Sequence, residues 1–235
     1  IDTFLDLDCG MHRTGIAPGE KAVELYRIIA STPGLRPAGL HAYDGHNHES
    51  DLAKRAAMCG ADMAPVLALR KQLASLGMPV PKLVAGGTPT FPVHAKNPVV
   101  SECSPGTSVL WDFGYERMLP DLQFLHAAVL LTRVISRPTA NRLCLDLGHK
   151  AVAAENPHPR VFFPDLPDAT PVMHSEEHLV IETDRAAAFK VGDTLYGIPR
   201  HICPTCALQN EVTVIRNGSA TERWKVLARA RRLTV

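Results

Sequence analysis

The stretch "AGLHAYDGHNHESDLAKRAAMCGADMAPVLALRKQLASLGMPVPKLVAGGTPTF" (residues 38–91) decides the fold. It opens on a short apolar run, "AGLHAY" (38–43), and passes through the polar loop "DGHNHES". An Ala-rich segment follows from about Asp51 to Leu76, closed by Gly77 and Pro79 as a helix would be. A second apolar run, "PKLVAG" (81–86), then leads into the glycine loop "GTPTFP". Strand, loop, helix, strand in this order is the unit from which parallel sheets are built.

The same alternation extends in both directions. Upstream, "TFLDLD" (3–8) runs into "CGMHRTG" and then "PGEKAVELYRIIAST", where Val23, Tyr26 and Ile29 share one helix face. Downstream, "VVSEC" (99–103) runs into "SPGTSVLWD". Four such units amount to about half of an eight-stranded barrel, which would have two unpaired strand edges and an exposed apolar interior. From about Leu122 the helical period fades. "LHAAVLLTRVIS", "NRLCLDLG", "HLVIET", "DTLYGIP", "EVTVIRNG" and "RWKVLARA" are β-rich runs separated by Pro, Gly, Asn and Asp, with a Pro-rich irregular loop at 154–171. The expected fold is α/β plus β: the second half of a (β/α)8 TIM-like barrel over residues 1–118, then an antiparallel β domain over 119–235. The chain opens on "IDTFLDLD" as if already inside a strand, without an initiator Met, so an N-terminal part is expected to be missing.

Composition narrows the function classes. Across 235 residues, 46% of them hydrophobic, a sizeable core can be buried. Twenty-five Lys plus Arg against 24 Asp plus Glu supply no field to gather nucleic acid or a membrane surface. The basic tail "RARRLTV" (229–235) fits a solvated terminal strand. No apolar run is long enough to span a membrane and no signal-peptide pattern is present, so a cytoplasmic location is expected. Of six cysteines, Cys9, Cys59, Cys103 and Cys144 read as thiols buried in apolar surroundings, and Cys203 with Cys206 has a spacing that invites chemistry.

In parallel α/β sheets the chemistry sits in loops at the carboxyl ends of strands. "VAGGTPTF" places Gly86, Gly87 and Thr88 there, which suits a phosphate or an ordinary tight turn equally, and it lacks the pattern of a nucleoside-triphosphate loop. Arg13 in "LDCGMHRTG" is either a ligand to a phenolate or carboxylate or a surface arginine. "HAYDGHNHE" (41–49) gathers His41, Tyr43, His46, His48 and Glu49, a candidate metal or general-base cluster or else a hydrogen-bonded loop. "HSEEH" (174–178) reads as a polar β turn, with His178 a candidate neighbour of a metal. "HICPTC" (201–206) has three readings. A redox CxxC should open a helix after a strand, whereas this one is expected between β runs; a zinc knuckle needs further close ligands. His201 and Cys203, on one face of an extended loop, can hold one soft divalent ion with positions left open, and Cys206 is a buried bystander.

Taken together and in order, "DLDCGMHRTGI", "GLHAYDGH", "VAGGTPTF", "ECSPGTSVLWD", "DLGHKAV", "SEEH" and "GDTLYGIPRHICPTC" resemble the D-threonine aldolase and D-serine dehydratase family, whose alanine-racemase-like barrel binds pyridoxal 5'-phosphate. The resemblance implies that Arg13 contacts the cofactor ring substituents, Tyr43 lies beside the pyridine, and Gly86, Gly87 and Thr88 cradle the phosphate. It implies that His201 and Cys203 ligate the metal. The aldolases resembled tend to carry H-x-D there, whereas H-x-C is the pair used by the dehydratases, and cysteine favours zinc over manganese. His48 or His46 is the candidate base, the substrate class is a small D-amino acid with a β-hydroxyl, and the complete protein is expected to be a homodimer. The family's Schiff-base lysine matches no position here, so the chain by itself is expected to be inactive. The rival expectations are a truncated, non-catalytic metal-binding paralogue or interaction module, and an amino-acid racemase.

Overall fold

The computed structural model describes residues 1–232 of the 235-residue chain. Two compact units divide it: Ile1–Ser108 with Met118–Leu122, and Val109–Arg117 with the residues from Gln123 onward. A parallel α/β part and an antiparallel β part are both present.

In the first unit β1 (Asp2–Leu7), β2 (Arg36–Ala42), β3 (Lys82–Ala85) and β4 (Glu102–Cys103) form a parallel sheet in sequence order. The crossover helices are α1 (Glu20–Ser31), α2 (Leu52–Ser75) and the short α3 (Phe91–His94). Asp51 starts α2 because its carboxylate accepts the Lys54 amide at 2.9 Å, as an N-cap should. One stripe of α2, from Cys59 through Met63, Val66 and Leu69 to Leu73, is buried at the three- and four-residue spacing of a helix face. Leu5, Leu7, Leu40, Leu83 and Ala85 of the strands complete this core. The expected strand at 99–103 shortens to two residues because Asn97 turns the chain, its carboxamide oxygen and carbonyl accepting the Val99 and Val100 amides.

The second unit holds α4 (Phe113–Met118, its last residue in the first unit) and a six-stranded antiparallel sheet. Its strands are β5 (Leu130–Thr139), β6 (Arg142–Leu145), β7 (Val161–Phe162), β8 (Thr170–His174), β9 (Leu179–Glu182) and β10 (Thr194–Pro199), in the order β7-β10-β5-β6-β9-β8. The helix α5 (Ile202–Leu208) and the hairpin β11 (Glu211–Arg216) with β12 (Ser219–Lys225) follow. Val134, Leu143, Leu145, Phe163, Leu179, Ile181 and Leu195 form its core.

Two expectations are corrected here. The stretch 154–171 is not wholly irregular: "RVFF" buries Val161 and Phe163, and β7 pairs with the end of β10. The run "RWKVLARA" is a strand only to Lys225, after which Leu227–Arg229 makes a 3-10 turn. The expected solvated terminal strand does not form up to Arg232, and Leu233–Val235 lie outside the described residues.

Candidate metal and cofactor sites

The polar loops at the strand ends of the first unit separate their side chains sharply. Tyr43, just past β2, is enclosed by small groups: a Cβ on Gly45 would lie 2.2 Å from its ring and one on Gly87 2.9 Å away. The Arg13 guanidinium sits 5.0 Å from the ring centroid, a cation–π distance, and the two residues line one small cleft with Asp6, Asp8, Met11 and Thr14. Arg13 and Tyr43, distant in sequence, are thus brought together.

Gly86, Gly87 and Thr88 are buried behind β3. Gly86 has φ 82°, the left-handed region open to glycine, and a Cβ there would meet His94 at 2.7 Å. The Gly86 amide donates to the Ala42 carbonyl at 3.2 Å and the Gly87 amide to Thr90 Oγ1 at 3.1 Å. The Thr88 hydroxyl accepts the Thr107 amide at 3.1 Å, joining the glycine loop to the 104–108 loop. These glycines therefore serve close packing here, and the Thr88 hydroxyl keeps its own proton to donate to an anion.

The histidines of "HAYDGHNHE" do not converge. His41 pairs with Asp6 across the β1–β2 register at 2.7 Å. His46 turns towards α2, 3.1 Å from Asp62, and packs against Gly10. Burial raises the Asp62 carboxyl above its ordinary value despite the His46 imidazole beside it. His48 is exposed. Glu49 closes the loop: its carboxylate accepts the Asp51 amide at 2.9 Å, and its carbonyl accepts from the fully buried Arg55 at 2.8 Å. Arg55 in turn pairs with Asp121.

Sequence reasoning passed over the interior of this region. Asp44 is 1% exposed and bonds His94 Nε2 and the Thr90 hydroxyl, each at 2.6 Å. Burial pushes the Asp44 carboxyl up, but the bonds from His94 and Thr90 outweigh it and leave the group below its ordinary value. Cys59, expected in apolar surroundings, is buried but belongs to this polar cluster: its donor atom and those of Asp44 and His94 lie within 4.8 Å of one another. The reason is its place on α2, on the stripe that also carries Arg55.

In the second unit "HICPTC" is not extended, which corrects the period-two argument. The strand β10 ends at Pro199, His201 takes the N-cap position with φ −135° and ψ 106°, and Cys203 lies in the first turn of α5. Pro204 is tolerated because first-turn amides lack intrahelical partners anyway. Thr205 Oγ1 bonds the His201 carbonyl at 2.7 Å, and the Ile202 amide donates to Asp112 at 3.0 Å. The CxxC thus opens a helix after a strand, against the expected position between β runs. Cys206 is half-buried, three residues beyond Cys203 on the same helix face.

His201 is tied at both ends. A hydrogen bond with Cys203, helped by Glu155, raises the imidazole to about 9, against burial. The Glu155 carboxylate accepts from His201 Nδ1 at 2.5 Å. A carboxylate on Nδ1 leaves Nε2 as the ligand nitrogen, the usual way a metal-binding histidine is oriented. The nitrogen and sulfur donors present fit a zinc-like ion. No spacing signal pointed to Glu155, which lies 46 residues away in the Pro-rich stretch. At "HSEEH", the Ser175 amide donates to the His178 carbonyl at 2.9 Å, closing the turn between β8 and β9.

Residues 1–112 match the family model described as "Alanine racemase, N-terminal domain", and residues 127–215 match the one described as "Putative serine dehydratase domain". The chain is 28% identical, over 98% of its length, to a 3-hydroxy-D-aspartate aldolase of Paracoccus denitrificans (strain Pd 1222), covering 61% of that protein. It is 25% identical, over 92% of its length, to a D-serine dehydratase of Dictyostelium discoideum, again covering 61%. The crystal structure of a D-threonine aldolase from Filomicrobium marinum matches with a TM-score of 0.91 at 28% identity, covering 97% of this chain and 63% of that one. The chain spans about three fifths of the length of these curated relatives.

Proposed function

The chain belongs to the D-threonine aldolase and D-serine dehydratase family with its alanine-racemase-like fold, and we propose that the complete protein is a pyridoxal-phosphate- and metal-dependent lyase of D-β-hydroxy amino acids, of the dehydratase type. The observation that carries this reading is the His201–Cys203 pair at the start of α5, with Glu155 on His201 Nδ1. The soft thiolate favours zinc over manganese. In this reading residues 1–118 are the second half of a (β/α)8 barrel and carry the cofactor, and residues 119–235 carry the metal.

Bound pyridoxal phosphate supplies an electron sink, and bound zinc a Lewis acid for the substrate hydroxyl. The chain's own residues position both. Arg13, stacked on Tyr43, offers a fixed cation to the ring substituents of the cofactor, and Tyr43 offers its face to the pyridine. Gly86 and Gly87 pack the loop closely against His94 and Tyr43, and the Thr88 hydroxyl would donate to the phosphate. Glu155 holds the Nδ1 proton of His201, so Nε2 with Cys203 Sγ would hold the ion.

A second reading rests on the His46–Asp62 pair. A base of this kind, or the exposed His48, taking the proton of the substrate hydroxyl would favour Cα–Cβ cleavage, the aldolase course. Assay of the complete protein with D-serine and D-threonine, with zinc or manganese, separates the two: pyruvate and ammonia mark the dehydratase, glycine and acetaldehyde the aldolase. His201→Ala or Cys203→Ala should abolish the metal-dependent activity. Glu155→Gln should weaken metal binding by about 10–100-fold. Full activity of a metal-free His201→Ala protein would sink the proposal, and turnover of neither substrate would favour a non-catalytic metal-binding paralogue.

A further inference from the structure

Next to Tyr43 in sequence, Asp44 belongs to a buried cluster of side chains of metal-ligating type. Asp44 in the loop after β2, Cys59 on α2 and His94 at the end of α3 are 1%, 1% and 2% exposed. Their ligand atoms lie within 4.8 Å of one another. Around a tetrahedral zinc, with bonds of about 2.0–2.3 Å, donor atoms stand roughly 3.3–3.7 Å apart, so small side-chain shifts bring all three onto one ion.

A separate observation points to a fourth donor. Asn47 is fully buried, and its amide nitrogen lies 3.5 Å from Cys59 Sγ, yet its Oδ1 has no hydrogen-bond partner. A buried carbonyl oxygen without a donor is costly, and a cation supplies what it lacks. Asp62 and its partner His46 lie next to the cluster, and the carboxylates of Asp44 and Asp62 both act on the Cys9 and Cys59 thiols.

We propose that Asp44, Cys59 and His94 form a buried structural site for a zinc-class divalent cation, separate from the His201–Cys203 pair, with the Asn47 carboxamide turning its Oδ1 to the ion as fourth donor. Thiolate with imidazole selects zinc or cobalt over magnesium or calcium. Without the ion, burial, reinforced by Asp44, pushes the Cys59 thiol up to about 12, so it stays protonated. On binding, that thiol proton leaves to solvent, the proton on His94 Nε2 is replaced by one on Nδ1, and the ion takes the vacated lone pairs of sulfur and nitrogen. The ion joins β2, α2 and α3, and so pins the loops that carry Tyr43 and Gly86–Thr88.

The test uses the complete protein carrying His201→Ala and Cys203→Ala, refolded with cobalt(II) alone. One cobalt per chain should bind, with a thiolate-to-cobalt charge-transfer band and the strong visible bands of tetrahedral cobalt. Adding Cys59→Ser should remove the charge-transfer band, and adding Asp44→Asn should weaken binding at least tenfold. Should Cys59→Ser fail to fold, X-ray absorption at the zinc edge of the zinc-loaded double variant decides, with one sulfur neighbour expected. No bound metal in the double variant, a charge-transfer band that survives Cys59→Ser, or a zinc shell without sulfur would overturn the site. None of these readouts depends on the lyase activity.

Discussion

His174 shows how far a single residue's chemistry is set by its neighbours. Its Nδ1 accepts from Arg160 at 3.2 Å and its Nε2 donates to the Leu147 carbonyl at 3.0 Å, an arrangement open only to the neutral ring. Burial first, then the nearby His149, hold the imidazole down at about 4. An unfolded chain takes up this proton near pH 6.5 whereas the folded one does not, so stability falls as pH drops from about 6.5 to about 4 and the loss is complete below that. The urea midpoint of the wild type should therefore drop more between pH 7 and pH 5 than that of His174→Gln, which can keep both hydrogen bonds. Equal drops would refute the assignment. None of this was readable from "HSEEH", since His174 owes its state to Arg160 and Leu147. Glu155, Asp44 and His94 escaped for the same reason: each acts through a partner 46 or 50 residues away. Arg13, Tyr43, His201 and Cys203 stood out because their motifs, taken together, resemble one family, whereas each alone also had an ordinary reading.

At the scale of elements, α5 depends on a residue outside it. Asp112 is 1% exposed; one oxygen accepts the Tyr115 amide of α4 at 2.9 Å and the other the first amide of α5, Ile202, at 3.0 Å. Burial raises this carboxyl above its ordinary value even though both amides stabilise its charge. Asp112→Asn keeps one acceptor oxygen and turns an NH2 group on the other amide. The cost should be about 1–3 kcal/mol, read as a Tm lower by roughly 2–12 °C. An unchanged Tm would show that α5 starts without this carboxylate. The strands and long helices were legible, because α1 and α2 bury one face at helical spacing and β1 to β3 are apolar runs. Short elements were not. The helix α5 has seven residues, two of them the cysteines that drew attention for other reasons, and its start is set by Asp112, 90 residues upstream.

At the scale of the whole molecule, the parallel sheet is open. Among the described residues β1 pairs only with β2 and β4 only with β3, and Ile1 and Phe4 on the first strand are exposed. Unpaired edges of this kind recruit other strands. The 235-residue chain on its own should self-associate in light scattering, and a monodisperse monomer of 25.5 kDa would count against the half-barrel reading. The sequence by itself determined the alternation of strand and helix, the change to β structure near Leu122 and the residues worth watching, because periodicity and residue type are local properties of a chain. Only the tertiary structure decided that "HICPTC" opens a helix, that His201 answers to Glu155, and that Cys59 lies beside Asp44 and His94. Hydrogen bonds and burial join residues far apart along the chain, and no local pattern records which of them will meet.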